Sequence, residues 1–482
     1  MPASRVRFSP ARRSVLRRTG AAGLSLLFPA CSPPEQAKAP PKSTSEVAAG
    51  ALRLDLRQWR RNGAEEFTLE RLRFERKWPG RRKNLAGGLD WGDYRLSVYD
   101  SVSGAPLFRQ GFDTNLEPAA RSGTTQISVR FPVPQRPVRA EIGQRRGEGA
   151  VHVISSITID PNADSVERAP GEFATRVYPI FAGGEPHAKV DLAILGDGYL
   201  ESEYPKFVSD ATRAAGYLFS IDPFTKRKLD FNVYAAFAPS AGSGVTDAYL
   251  GLKKDTVFRC AYYTGGSERS LADGNNHAVR EVAAAVPYDF VLILANARRY
   301  GGSSYFGGPA VVAIDSAAAR YLVVHEFAHA IGGLADEYYV PTTDGPIFPG
   351  TVEPWHPNVT ISPHHAKWRD PLTEAGPRPT RWNKAEYEKY FADYVRRYNR
   401  LRESGAEEAA VEKFLDRERG RQAALLEKNG RGRRVGFFEG AHGYANGVFR
   451  SEVDCIMFSL QTDYFCAACS AAIERMIDEH CR

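Results

Sequence analysis

The sequence predicts an α+β protein in which a β-rich, sandwich-like domain precedes a larger domain of sheet and helix. Three observations carry this. Residues 51–165 alternate apolar and polar side chains in short runs broken by Gly, Pro and Asn, the pattern of half-buried antiparallel strands. From residue 173 the runs turn wholly apolar and interleave with stretches of helical spacing, as in a sheet covered by helices. A length of 482 residues with 43% hydrophobic content gives two or three domains with real cores.

The first domain's strands are expected at ALRLDLRQW, EEFTLERLRFERKW, DYRLSVYD, TQISVRFPV and VHVISSITI, and PNADSVERAPGE (161–172) reads as a linker. In the second domain, 173–482, KVDLAILGDGY, FNVYAAFAPS and YDFVLILANA read as buried strands. EYPKFVSDATRAAGYLFSI and HAVREVAAAV between them read as helices. GPAVVAID is a further short strand, expected either inside the sheet or at an edge where an extended peptide would pair with it. AAARYLVVHEFAHAIGG is the helix that follows. Beyond a Pro-rich stretch, residues 383–430 form a charged helical insertion. Tyr387, Tyr390, Phe391 and Tyr394, then Val411, Phe414 and Leu415, recur at helical spacing, so two amphipathic helices packed on the body are expected.

The N-terminus reads as an address. Residues 1–31 resemble a twin-arginine export signal, with Arg12 and Arg13 paired, Leu16 and Arg17 following, and an apolar run at 20–30 too short to span a bilayer. The run ends in PAC, so Cys31 is a candidate lipidation site. The protein is therefore expected to be exported: periplasmic, membrane-tethered or extracellular. Residues 32–50, rich in Pro, Ala, Ser and Lys, read as a disordered tether. Residues 1–30 hold six arginines and no acid, and without them the formal charge of +7 falls to +1. A near-neutral body argues against a nucleic-acid partner. Four of the six cysteines, Cys455, Cys466, Cys469 and Cys481, fall in the last 28 residues. That cluster predicts either disulfides, in an oxidising compartment, or a small zinc site.

The chemistry concentrates in HEFAHAIGGLADEYY, from His325 to Tyr339. Residues four apart share one face of a helix, so His325 and His329 can present ring nitrogens to one ion, and Zn²⁺ takes such nitrogens in a tetrahedral set. Glu326, one step round the helix, is placed to act as a general base on water. Two histidines and a glutamate on an apolar turn need partners, because unsatisfied buried polar groups are expensive. Gly332 and Gly333 can end the helix and turn the chain back. Asp336 is the first acidic residue after that turn and is expected as the third ligand, with Glu337 as the alternative.

This segment resembles the active site of the IgA-peptidase-like zinc metallopeptidases, a metzincin-related family. VDLAILGDGY, FEGAHGYANGVFR, and DCIM followed by FCAAC share the resemblance. It spans about 173–482, and residues 51–165 resemble that family's N-terminal domain. The resemblance implies a metzincin-like fold, a Zn²⁺ cofactor, and a protein or peptide substrate. It also gives Met457 the role of a Met-turn beneath the ligands. Tyr338, Tyr339, His442, Tyr444 and Tyr464 are candidates for stabilising an oxyanion, while His356 and the pair His364–His365 read as surface residues of the Pro-rich stretch. The expectation is an exported zinc endopeptidase. The competing readings are a surface binding or adhesion lipoprotein with a structural metal, and a zinc amidase acting on cell-wall peptides.

Overall fold

The computed structural model describes residues 50–116, 122–147, 149–264, 267–341, 352–362, 367–368, 378–428 and 434–481. The export signal with Cys31, the tether up to residue 49, and the pair His364–His365 lie outside the described residues. No helix among the described residues is long and apolar enough to cross a membrane.

The first domain comprises β1 (Ala51–Arg61), β2 (Ala64–Glu75), β3 (Tyr94–Asp100), β4 (Pro106–Phe112), β5 (Gly123–Pro132), β6 (Val138–Arg146), β7 (Ala150–Ile159) and β8 (Val166–Glu167). They make two four-stranded sheets, ordered β5-β1-β2-β8 and β4-β3-β6-β7. Alternation does the sorting: Leu52, Leu54 and Leu56 of β1 share a core with Leu96 and Val98 of β3 and with Ile142 of β6. β4 and β6 were not among the expected strands. The β6 segment VRAEIGQRR loses its apolar alternation after Ile142. It is held by ladders on both sides, with β3 and β7. The expected linker also contains structure, since β8 adds to the first sheet in parallel with β2, Leu72 against Val166.

The second domain is built on a six-stranded sheet. Its elements are β9 (Arg176–Ala182), β10 (Val190–Asp197), α1 (Tyr204–Leu218), β11 (Phe231–Phe237), β12 (Ala261–Tyr262), β13 (Leu271–Ala272), α2 (Asn276–Ala283), β14 (Phe290–Ala295), β15 (Gly302–Ser303), β16 (Ala310–Ala313) and α3 (Ala319–Gly332). The sheet order is β15-β16-β14-β10-β11-β9. β10, β11, β14 and β16 run parallel, with β9 and β15 antiparallel at the two edges. Parallel strands are buried on both faces. Leu192 and Ile194 of β10 pack with α1 and α3, and Ala193 and Leu195 pack with α2 on the other side. Right-handed crossovers require opposite faces when the chain reverses direction across a sheet, as it does between α1 and α2.

β16, the GPAVVAID strand, is interior between β14 and β15. The edge reading of that segment is therefore corrected: β15, only two residues long, holds the edge.

The remaining elements close over α3. They are β17 (Val359–Thr360), α4 (Lys384–Glu403), α5 (Glu408–Glu427), β18 (Phe438–Ala441), β19 (Tyr444–Arg450) and α6 (Ala467–His480). The short sheet β17-β19-β18 stands apart from the large one.

Candidate metal centre

α3 is apolar on nearly every face because it lies between the sheet and α6. Leu322, Val323, Val324, Phe327, Ala328, Ala330 and Ile331 are all buried in one core with α1 and α6. His325 and Glu326 interrupt that core, 5% and 7% exposed, with His329 one turn on. The helix ends where Gly333 enters the left-handed region at φ +57°, its N–H bonded to the His329 carbonyl at 3.1 Å. A side chain there would also strike the Trp355 ring, since a Cβ would lie 2.7 Å from it.

The turn brings Asp336, not Glu337, back to the histidines. His325 Nε2 lies 3.1 Å from Asp336 Oδ1, His329 Nε2 lies 3.3 Å from the same oxygen, and the two Nε2 atoms are 3.1 Å apart. A tetrahedral ion with bonds of about 2.0–2.1 Å sets its ligand atoms about 3.3–3.4 Å apart. The observed triangle has nearly those edges. Asp336 Oδ1 is buried and accepts no well-formed hydrogen bond, so it faces the two nitrogens with lone pairs to give. The donor set therefore fits a small divalent ion. Burial opposes the charge on Asp336, yet His329 and His325 hold its carboxyl well below the usual range. Burial likewise disfavours a charged His329, but Asp336 outweighs it and raises the imidazole to about 9. That field favours a cation between them.

The far nitrogens are occupied, which fixes the near ones. His325 Nδ1 meets the Ile456 carbonyl at 3.1 Å and the Tyr321 hydroxyl at 2.9 Å, and His329 Nδ1 meets the Leu334 carbonyl at 2.6 Å. A carbonyl at Nδ1 keeps the proton there and leaves Nε2 free as a ligand. Tyr321 also stacks on the His325 ring, centroids 4.8 Å apart. It sits four residues earlier on the same helix, so the spacing that pairs the histidines also pointed to it.

The loop carrying Asp336 is clamped from three sides. Glu337 N–H donates to the Met457 carbonyl at 2.8 Å, His442 N–H to the Asp336 carbonyl at 2.9 Å, and Gly443 N–H to the Tyr338 carbonyl at 3.0 Å. Asn358, fully buried, accepts from Ala335 N–H at 2.8 Å and donates to the Ala335 carbonyl at 2.9 Å and to Glu337 Oε1 at 3.2 Å. Met457 is fully buried in the same core as α3, on a tight turn in which Ser459 N–H bonds the Cys455 carbonyl. Its neighbour Ile456 supplies the carbonyl to His325.

Glu326 borders a cleft of about 760 Å³, floored by His325, His329 and Asp336. Burial raises its carboxyl above the ordinary range, with the two histidines pulling the other way. The edge strand β15 presses on it: a Cβ on Gly302 would lie 2.8 Å from Glu326 Oε1 and 3.0 Å from Cγ. α4 and α5 form the opposite wall through Tyr390, Phe391, Tyr394, Leu415 and Arg419. The charged insertion thus packs on the body and also shapes the cleft.

Of the oxyanion candidates, Tyr338 and Tyr339 line the cleft. Tyr338, 44% exposed, stands beside Asp336, whose charge raises the pKa of its hydroxyl. Tyr464 instead donates to the Asp454 carbonyl at 3.2 Å. His442 and Tyr444 are absent from the lining, whereas Tyr300 and Tyr321, which the sequence reading passed over, belong to it. His356, expected at the surface, is half-buried, stacked on Trp355 at 4.0 Å and against His442 at 5.0 Å. Cys481 stands apart from the other three C-terminal cysteines, its Sγ 3.7 Å from the Asp230 carbonyl.

The IgA Peptidase M64 family matches residues 179–477, well over half of the chain. The chain belongs to that family. The Peptidase M64 N-terminus family matches residues 45–155, the region of the β-sandwich. A search of curated proteins finds no match. M64 membership makes the chain a peptidase and so a hydrolase acting on protein or peptide substrates. Among the described residues His325, Glu326 and His329 form a candidate metal-binding group.

Proposed function

We propose that this M64 peptidase is an exported, zinc-dependent endopeptidase, with His325, His329 and Asp336 as zinc ligands and Glu326 as general base. One observation carries the reading. Three lone-pair atoms converge with edges of 3.1–3.3 Å beside a buried carboxylate, at the foot of an open cleft. Zinc held there would polarise the scissile carbonyl and bring the pKa of a water to about 7.

The chain's own groups do the rest. Glu326, raised by burial and held against β15, takes the proton of the attacking water and passes it to the leaving amine. Tyr321 and the Ile456 carbonyl keep the His325 ring in its ligating orientation. Tyr338, protonated beside Asp336 and lining the cleft, is the hydroxyl assigned to donate to a developing oxyanion. The β15 edge offers its backbone to an extended peptide, and the aromatic faces of α4 offer apolar contact to its side chains. Met457 serves as the apolar floor beneath the site.

Export rests on residues 1–31, and the lipid anchor on Cys31. Cys31→Ala is expected to move the protein from the membrane fraction to the soluble fraction; unchanged partitioning removes the anchor. The catalytic reading is tested on casein and on purified peptidoglycan, with and without chelator. Casein cleavage that the chelator abolishes and added zinc restores is expected. Chelator-insensitive cleavage, or release of products from peptidoglycan alone, overturns the reading.

A further inference from the structure

Outside the catalytic centre the described residues hold a second buried group of metal-ligating side chains, which the mechanism does not use. We infer that Glu337, Cys455, Cys466 and Cys469 form a second, structural zinc site. All four side chains are fully buried. One donor atom from each lies within 4.8 Å of all the others. Cys455 Sγ and Cys469 Sγ are 3.8 Å apart, and Cys466 Sγ and Cys469 Sγ each lie 3.3 Å from Glu337 Oε1.

Tetrahedral zinc with Zn–S near 2.3 Å and Zn–O near 2.1 Å sets sulfurs about 3.8 Å apart and sulfur and oxygen about 3.6 Å apart. The cluster has nearly those dimensions. A disulfide would need sulfurs about 2.05 Å apart.

Charge and hydrogen bonding point the same way. Glu337 Oε2 is buried without a hydrogen-bond partner. No cationic side chain among the described residues lies within ion-pair distance of this carboxylate. Arg450 acts on it only from beyond ion-pair distance, and a buried carboxylate beside three thiols without a close counter-charge is expensive; a divalent ion supplies one. Backbone donors are aimed at the sulfurs: Met457 N–H and Cys466 N–H reach Cys455 Sγ at 3.4 and 3.3 Å, and Cys469 N–H reaches Cys466 Sγ at 3.5 Å. Cys466 also caps the N-terminus of α6, where a helix favours thiolate over thiol. Soft thiolates with one carboxylate are a zinc donor set.

The site would staple three segments. Glu337 follows Asp336 in the loop after α3, Cys455 begins the turn that gives His325 its carbonyl, and Cys466 and Cys469 open α6. The inference stands independently of the catalytic reading, since none of its ligands touches the cleft.

The test is zinc content per chain, followed by cobalt substitution. In the full-length protein, two zinc ions are expected. His325→Ala/His329→Ala should keep one, and its cobalt form should show a thiolate-to-cobalt charge-transfer band. Cys466→Ser/Cys469→Ser should lose that ion and the band. Glu337→Gln, which keeps the shape, should weaken retention against chelator at least tenfold while the histidine site stays loaded. The proposal falls if the histidine variant is metal-free, if its cobalt form lacks the band, if Glu337→Gln retains metal unchanged, or if peptide mapping without reductant finds a Cys455–Cys469 disulfide.

Discussion

Asn358→Ala tests whether the Asp336 loop is built as described. The amide makes three hydrogen bonds, to both backbone groups of Ala335 and to Glu337 Oε1, at a position with no exposure. Truncation orphans a buried N–H and a buried carbonyl. At roughly 1–3 kcal/mol each, the loss is bracketed at about 2–6 kcal/mol. Water entering the vacated space restores part of it, so the expected destabilisation is about 2–4 kcal/mol. Urea unfolding of the variant beside the parent measures this directly. Because Asp336 lies between the two anchored residues, zinc should also be lost to chelator faster. Asn358→Asp, which keeps the acceptor for Ala335 N–H but sets a carboxylate against Glu337, should be no better. A destabilisation under about 0.5 kcal/mol with unaltered metal release would refute the reasoning.

Gly302→Ala places a methyl against Glu326 Oε1 and Cγ and 3.1 Å from the Val311 carbonyl. It should cut kcat by about tenfold to a hundredfold while the fold persists, and parental turnover would show that Glu326 is not held by β15. Asp191 on β10 is fully buried. Burial first, then Asp289, raises its pKa to about 8. Between its unfolded value near 4 and pH 8 the native state holds the extra proton, so this group's stabilisation is full below about pH 4. It is then lost as pH rises to 8, by up to about 1.4 kcal/mol per pH unit. Asp191→Asn should flatten that slope in urea midpoints taken from pH 5 to 8; an unchanged slope rules Asp191 out as its source.

The histidine pair was legible because helix geometry is local. Four residues bring His325 and His329 to one turn, and Gly333 supplies the left-handed residue that sends Asp336 back. The apolar runs of β10 and β14 were legible because strands buried on both faces leave few polar positions, Asp191 and Asp197 of β10 being buried exceptions. What was hidden depends on contacts distant in sequence. Gly302–Ser303 has too few residues to show a pattern, and becomes an edge strand only because β16 pairs with it. Asn358 works through residues more than twenty positions earlier. Spacing along the chain suggested Cys481 as a companion of Cys466 and Cys469. α6, rising 1.5 Å per residue, instead carries it about 18 Å from Cys469. Glu337 fills the fourth position, a residue that sequence order placed with the histidine site.

The most direct test of the catalytic account is Glu326→Gln, assayed for casein hydrolysis beside zinc content. The substitution keeps the side chain's shape and removes its ability to take a proton. Zinc bound as in the parent, with hydrolysis lower by orders of magnitude, is the predicted result. Undiminished turnover at full zinc occupancy would contradict it.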